Sequence, residues 1–324
     1  MSSTDATFFH RARALTNQVL SHFGFEVIRC ARPRGRDTDL IPLQIGNFQL
    51  SIQVNNSLWR EYEKNAEYTA QLGRLAACVF DVHREGYLID VGANIGDTAA
   101  MVRTRVDVPI VCVEGDEAIF RLLQKNIAAM PGVSAHQCFL GEKTEELRVV
   151  TSKDGWDTTL LPVSDKTAGA GKTVPLLSLD DFVNGLAFDK PCKLLKLDIE
   201  GFDLRALRGA RHLLSQDKPA VLFEFNHENL TALGENGREI FPYLASLGYD
   251  QLCIHDAQGN FMLPCRTSDT ALLNDLDDYA RISEGLFYYD ICAFHFSDAE
   301  LAERFTTLER SHRKAGLQRK RGSS

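Results

Sequence analysis

The chain has 324 residues, 44% of them hydrophobic and 25% charged, a balance ordinary for a soluble globular protein with one large α/β domain or two smaller ones. A net charge of −8 argues against broad, non-specific nucleic-acid binding. No apolar run approaches the roughly 20 residues that cross a bilayer, and MSSTDATFFHRARALTNQVL has an early acid and no unbroken apolar stretch, so neither a transmembrane segment nor a secretory signal is read, and a cytoplasmic location is expected.

Residues 8–30 have helical periodicity, with Leu15, Val19, Leu20 and Phe23 on one face. ARPRGRDTD (31–39) reads as a linker, and LQIGNFQLSIQV (43–54) alternates about Gly46-Asn47 as a hairpin does. Residues 57–83 are helical again. Beyond residue 87 the spacing predicts strands at 87–92, 109–115, 133–140, 193–199, 220–226, 250–256 and 290–296, with helices at 97–105, 116–130, 202–215 and 237–247. That alternation implies a mostly parallel sheet covered on both faces. The connections 141–192 and 257–289 exceed ordinary loop length and are read as insertions or lids facing the substrate.

The expected organisation is a helical extension over 1–40, a main domain over 41–300, and a helix end with a basic tail over 301–324. The tail holds six Lys/Arg between 310 and 321 and reads as a solvated, frayed terminus. Eight cysteines occur in no CxxC or other zinc spacing; they are taken as small buried hydrophobes in a reducing compartment.

The stretch LIDVGANIGDTA (88–99) has the form strand, tight turn, helix start. Three ligands use such turns. A nicotinamide dinucleotide wants G-x-G-x-x-G, but the chain offers Gly92-x-x-x-Gly96, with Ala93 and Asn94 where the middle glycine belongs, and Asp97 and Glu114 standing near the phosphates. A nucleoside triphosphate wants G-x-x-x-x-G-K-[ST]; Gly171-Lys172-Thr173 is preceded by Lys166 instead of glycine and followed by Val174-Pro175. S-adenosylmethionine has no phosphate. Its ammonium suits Asp90, its methionine carboxylate suits the N–H groups of the helix start, and its ribose diol suits Glu114, which lies 22 residues after Gly92 at the end of the next strand. Asp90 together with G-x-x-x-G favours this third reading.

DVGANIGDTA, VEGDEAIFRLLQKNI, LLKLDIEGFDLRALRGARHLL and PAVLFEFN together resemble the FkbM-type methyltransferases, from about residue 45 to 296. The most specific part is Lys196-Leu197-Asp198-Ile199-Glu200-Gly201, followed by Leu207-Arg208-Gly209-Ala210; VPLLSLDDF is similar too. The resemblance implies the class I methyltransferase (Rossmann-like) sheet of seven strands, mostly parallel with the last antiparallel. It implies S-adenosylmethionine as cofactor and methyl transfer, usually to oxygen, on a sugar, glycan or secondary metabolite. Cofactor-binding residues are then Asp90, Gly92, Asn94, Gly96 and Glu114, and Glu142, just past the third strand, is counted with them.

Ligands of open α/β sheets lie outside the carboxyl ends of the strands. Asp198, Glu200, Glu224, Asn226 and His227 all fall there. Asp198 or His227 is the candidate base, and Asp198, Glu200, Glu224 and His227 form the expected catalytic group. Asp198, Glu224 and Asn226 holding a divalent metal is the alternative. Glu200 competes for the role of helix cap, Lys196 for that of a structural ion pair, and Asp180-Asp181 reads as the cap of a short helix. Trp156, Asp157, Thr158 and Thr159 would cover the acceptor. Two rival readings remain: a binding module without chemistry and an NAD-dependent oxidoreductase.

Overall fold

The computed structural model describes residues 35–36, 38–56, 58–65, 67–154, 157–162, 171–283 and 288–322. The expected helix over 8–30, most of the linker and Trp156 lie outside the described residues. The described chain opens with the expected hairpin, β1 (Leu40–Ile45) and β2 (Phe48–Gln53). The helical stretch after it is two helices, α1 (Leu58–Lys64) and α2 (Ala70–His83). They are separated at Thr69, whose φ of 58° is left-handed backbone that a β-branched residue rarely adopts.

From there strands and helices alternate: β3 (Tyr87–Val91), α3 (Asp97–Arg103), β4 (Ile110–Glu114), α4 (Glu117–Ile127) and β5 (Val133–Gln137). The first long insertion builds β6 (Phe139–Gly141), β7 (Glu145–Asp154), β8 (Asp157–Pro162) and β9 (Lys172–Ser178), and leads into α5 (Leu179–Asn184). Then come β10 (Cys192–Leu197), α6 (Asp203–Arg208), α7 (Arg211–Gln216), β11 (Ala220–Phe225), α8 (His227–Ala232), α9 (Ile240–Ser246), β12 (Tyr249–Asp256), β13 (Phe261–Arg266), α10 (Thr270–Ile282), β14 (Tyr289–His295) and α11 (Ala299–Gly322).

The main sheet runs β13-β12-β14-β11-β10-β3-β4-β5. With the edge strand β13 set aside, its seven strands numbered among themselves run 3-2-1-4-5-7-6, and β14 is antiparallel to both its neighbours. This is the expected class I sheet with one strand more than expected. The eighth arises because the 257–289 connection folds back as β13 against β12. The 141–192 insertion is a small sheet of its own, ordered β6-β9-β7-β8, instead of a loop.

β3 is buried along its whole length and β4 nearly so, as continuous apolar runs in a doubly covered parallel sheet require. The hairpin and α1 to α4, with α11, pack one face, and α5 to α10 pack the other. Each fully buried Leu, Val or Phe in these layers contributes about 1.5–3 kcal/mol. The basic tail is helical to Gly322 instead of frayed. The cap of α5 is Ser178, not the aspartate pair: Asp180 accepts from the backbone of His212 and Leu213 and so caps α7 instead.

The order of strands reverses between β3 and β10. Crossovers leave that point in opposite directions, opening a crevice at the carboxyl ends of the two strands. Asp90 and Val91 of β3 sit beside Lys196 and Leu197 of β10 there.

Candidate active site

A cleft of about 900 Å³ opens at this crevice. One half is walled by the turn after β3 and the end of β4. Gly92 has φ +72°, and a Cβ there would lie 1.8 Å from the carbonyl oxygen of Asp198, so only glycine fits. Asn94 is left-handed too, at φ 45°; its N–H donates to Glu114 at 3.1 Å, and the Asp116 N–H donates to the same carboxyl at 2.8 Å. Burial pushes the Glu114 carboxyl up to about 7, against the pull of those two N–H groups. Gly92, Asn94 and Glu114 therefore stand on the cleft wall.

Asp90 and Gly96 do not. Asp90 is fully buried, takes the Thr98 hydroxyl on one oxygen and lies 3.1 Å from the Lys196 ammonium on the other. Its charge is already matched inside the protein, which corrects the expectation that it meets a cofactor ammonium. Gly96 is needed for its φ of +88° and because a Cβ would press Leu123 and Ile127 of α4 at 3.0 Å; it shapes the turn and touches no ligand space. Glu142 is also misplaced by the sequence reading. Its carboxylate is held by Arg208 at 2.8 Å, beside a separate shallow groove.

The other half of the cleft is built from β10, β11 and the turns after them. Lys196 donates to the Gly92 carbonyl at 2.8 Å and lies 3.5 Å from Asp198. Burial alone would lower its pKa, yet Asp90 and Asp198 reverse this and raise it. Lys196 is thus more than a structural ion pair: it ties the cofactor turn, Asp90 and Asp198 together and itself lines the cleft. The Asp198 carboxylate is 46% exposed. Glu200, at φ 53°, accepts from the Asn229 amide at 2.7 Å. Asp203, the first residue of α6, accepts the Gly201 and Ile199 N–H groups of the turn before the helix; burial and then Asp198 push Asp203 up to about 8.

Glu224 lines the cleft and faces Asp290 in register across β11 and β14. Burial, then the charges of Asp198 and Glu200, hold Glu224 well above the usual carboxylate range. Asp290, bonded by the Gln71 amide at 2.8 Å, is pushed up to about 7 by burial and by Asp198. His227 is absent from the cleft wall: its Nδ1 is 3.6 Å from Asp277 and its Nε2 is 3.1 Å from Thr231. A residue that begins a helix right after a strand turns away from the strand's end, and His227 follows α8 outward. The candidate base is therefore Asp198 alone. Asn226 spends its oxygen capping α8 through Glu228 and Asn229, which weakens it as a metal ligand; among the described residues no group of three or more His, Cys, Asp and Glu side chains has an arrangement that holds a metal ion. Of the small sheet, Leu160 of β8 reaches the cleft.

Sequence reasoning missed Tyr68, Tyr288 and Glu61 on the wall and Tyr62 behind it. They come from segments with no motif. Asp97 was noted only as hostile to phosphate; it is buried, accepts the Tyr62 hydroxyl at 2.9 Å and is pushed up to about 6 by burial.

Residues 90–250 match the family model described as the methyltransferase FkbM domain. This chain carries an FkbM methyltransferase domain. "Methyltransferase 1" of Beauveria bassiana (strain ARSEF 2860) is 28% identical over 145 residues, 39% of this chain and 58% of that protein. The crystal structure of an FkbM methyltransferase from Methylobacillus flagellatus KT aligns at TM-score 0.36 and 21% identity, over 52% of this chain and 39% of that one. An O-methyltransferase from Bacillus cereus, in complex with SAH, aligns at TM-score 0.39 and 11% identity, over 74% and 90%. The chain thus spans less than two thirds of the curated relative and of the FkbM structure. The class I sheet order stands on the chain's own strand pairings.

The cleft fits S-adenosylmethionine by its own geometry. Two buried polar atoms on its wall, Asn94 Oδ1 and Glu224 Oε1, have no hydrogen-bond partner among the described residues. Asn94 lies in the turn after β3 and Glu224 near the end of β11. Such atoms cost about 1–3 kcal/mol each unless a ligand or water meets them.

Proposed function

We propose that the chain transfers the methyl group of S-adenosylmethionine to a hydroxyl oxygen of a carbohydrate, glycan or secondary metabolite. The observation that carries this reading is the half-exposed Asp198 carboxylate at the strand-order reversal, with its own carbonyl packed on Gly92. When bound, S-adenosylmethionine supplies an electrophilic methyl carbon. Glu114 and the Asn94 turn receive its ribose. Asp198 accepts the proton of the acceptor hydroxyl; general-base help of this kind is worth about 10²–10⁴-fold. The Lys196 ammonium lies 3.5 Å from it. Glu224, whose carboxyl burial holds well above the usual range, meets the acceptor through its unpartnered Oε1 and fixes its orientation.

The test is a tritiated-methyl screen of the full chain against sugars, glycolipids and small alcohols, with the labelled atom identified. Label on oxygen that disappears in Asp198→Asn, with S-adenosylhomocysteine binding kept, supports the reading. Label on nitrogen, or none on any acceptor, overturns it.

A further inference from the structure

The wall of the cleft is not confined to the FkbM-matched residues. Asn55, Leu58, Glu61, Lys64, Tyr68 and Thr69 line it from α1 and the turn after it. This segment is fastened at one point to the residue that starts α3. The Tyr62 hydroxyl, on a side chain 8% exposed, donates to Asp97 at 2.9 Å and lies 3.2 Å from Thr69 Oγ1. Tyr68 packs edge-on against Tyr62, with ring centroids 5.4 Å apart. Tyr288 lines the same cleft and reaches the Ala257 carbonyl at 3.4 Å. Two residues past Thr69 the Gln71 amide donates to Asp290 at 2.8 Å, and Asp290 faces Glu224 in register, so the end of the segment lies at the Glu224 side of the cleft, away from Glu114.

We propose that the Asn55–Thr69 segment is the acceptor-side wall of the active site, with Tyr68 as its acceptor-contacting residue and Tyr62 as the residue that positions it from Asp97. The inference rests on the methyl-transfer reading for its substrate. Tyr68 offers a phenol on the wall of the cleft that Asp198 also lines and so recognises a second polar group on the acceptor, next to the hydroxyl that is methylated. Tyr62 touches no acceptor. It carries the state of the cofactor turn, through Asp97, to the wall.

Two measurements on the full chain test this. The first needs no acceptor: amide hydrogen exchange with and without S-adenosylhomocysteine. Slowed exchange over 58–72 in the wild type, lost in Tyr62→Phe while the ligand still binds, is expected. Protection confined to residues 90–140 overturns the coupling. The second uses an acceptor labelled in the screen. Tyr68→Phe is expected to raise the acceptor KM about three- to tenfold, the worth of one hydrogen bond, with kcat nearly unchanged and S-adenosylhomocysteine affinity equal to wild type. An unchanged KM, or an equal loss of S-adenosylhomocysteine binding, makes Tyr68 merely structural. If the wild type labels no acceptor, the methyl-transfer reading fails and the exchange measurement alone decides the wall.

Discussion

The carbonyl oxygen of Asp198 lies 1.8 Å from the place a Cβ on Gly92 would take. The turn proposed to receive the cofactor and the residue proposed to face the acceptor are thus packed backbone on backbone, across the boundary between β3 and β10. Gly92→Ala must push that carbonyl away and also hold alanine at φ +72°. The strain alone is of order 1–3 kcal/mol. Gly92→Ala is expected to weaken S-adenosylhomocysteine binding at least about tenfold and to lower kcat as well, because Asp198 moves with the clash. Calorimetry and turnover on one sample check both; loss of binding with unchanged kcat at saturation would contradict the link.

Among the described residues Lys196 is the one cation paired with both Asp90 and Asp198, and its side chain is 5% exposed. Lys196→Met leaves the Asp90 carboxyl buried with the Thr98 hydroxyl but without its cation. Breaking a buried pair from one side costs about 3–5 kcal/mol. Urea denaturation should show a loss of that size, and Asp90→Asn in the Lys196→Met background should recover part of it. A loss under 1 kcal/mol would mean that the pair behaves as an exposed one.

The buried carboxyls set a pH dependence with a definite sign. Glu114 is pushed up to about 7, Asp290 to about 7 and Asp97 to about 6, in each case first by burial. Each folded value lies above the unfolded one. Between the two, the folded chain holds a proton that the unfolded chain has released, so this stabilisation is present at low pH and lost as pH rises through the folded values. The ligand-free chain is expected to lose stability from about pH 5 to about pH 8, less so in Glu114→Gln. Affinity for S-adenosylhomocysteine should run the other way. A ribose diol needs the ionised Glu114 as acceptor, so affinity rises through pH 7 by up to about tenfold per unit and flattens in Glu114→Gln. An affinity independent of pH in the wild type would remove Glu114 from the diol.

These residues also mark what the sequence made legible. Strand ends were readable because a parallel sheet buries continuous apolar runs, and the polar residue that stops a run, Glu114 or Asp198, must sit at the mouth. Direction of a side chain was not. Asp90 reads like a ligand-facing acid, but its position on β3 beside Lys196 of β10 turns it inward, and that pairing is a property of the sheet order. Glu142 and His227 failed for the same reason: Arg208 and Asp277, 66 and 50 residues away, hold them on other surfaces. The wall from α1 carries no motif at all, since a tyrosine hydroxyl meeting Asp97 is a long-range event that local spacing does not encode.

The C-terminal helix supplies the last expectation. Glu309 of α11 is completely buried; it pairs with Arg74 of α2, with a second bond to the same guanidinium at 2.9 Å, and lies 3.2 Å from His255 of β12. Burial opposes its ionisation, yet His255 and Arg74 hold the carboxyl down at about 2. Here the folded value lies below the unfolded one, so the stabilisation is present above the unfolded value and lost as pH falls through about 2. This is opposite in sign to the cleft carboxyls. Glu309→Leu leaves Arg74 buried and unpaired and should cost about 3–5 kcal/mol at neutral pH, read by urea denaturation. Arg74→Met added to it should return much of the loss, since two apolar side chains then fill the site. If the double variant is no more stable than Glu309→Leu alone, the cost lies in packing of α11 and not in the stranded charge.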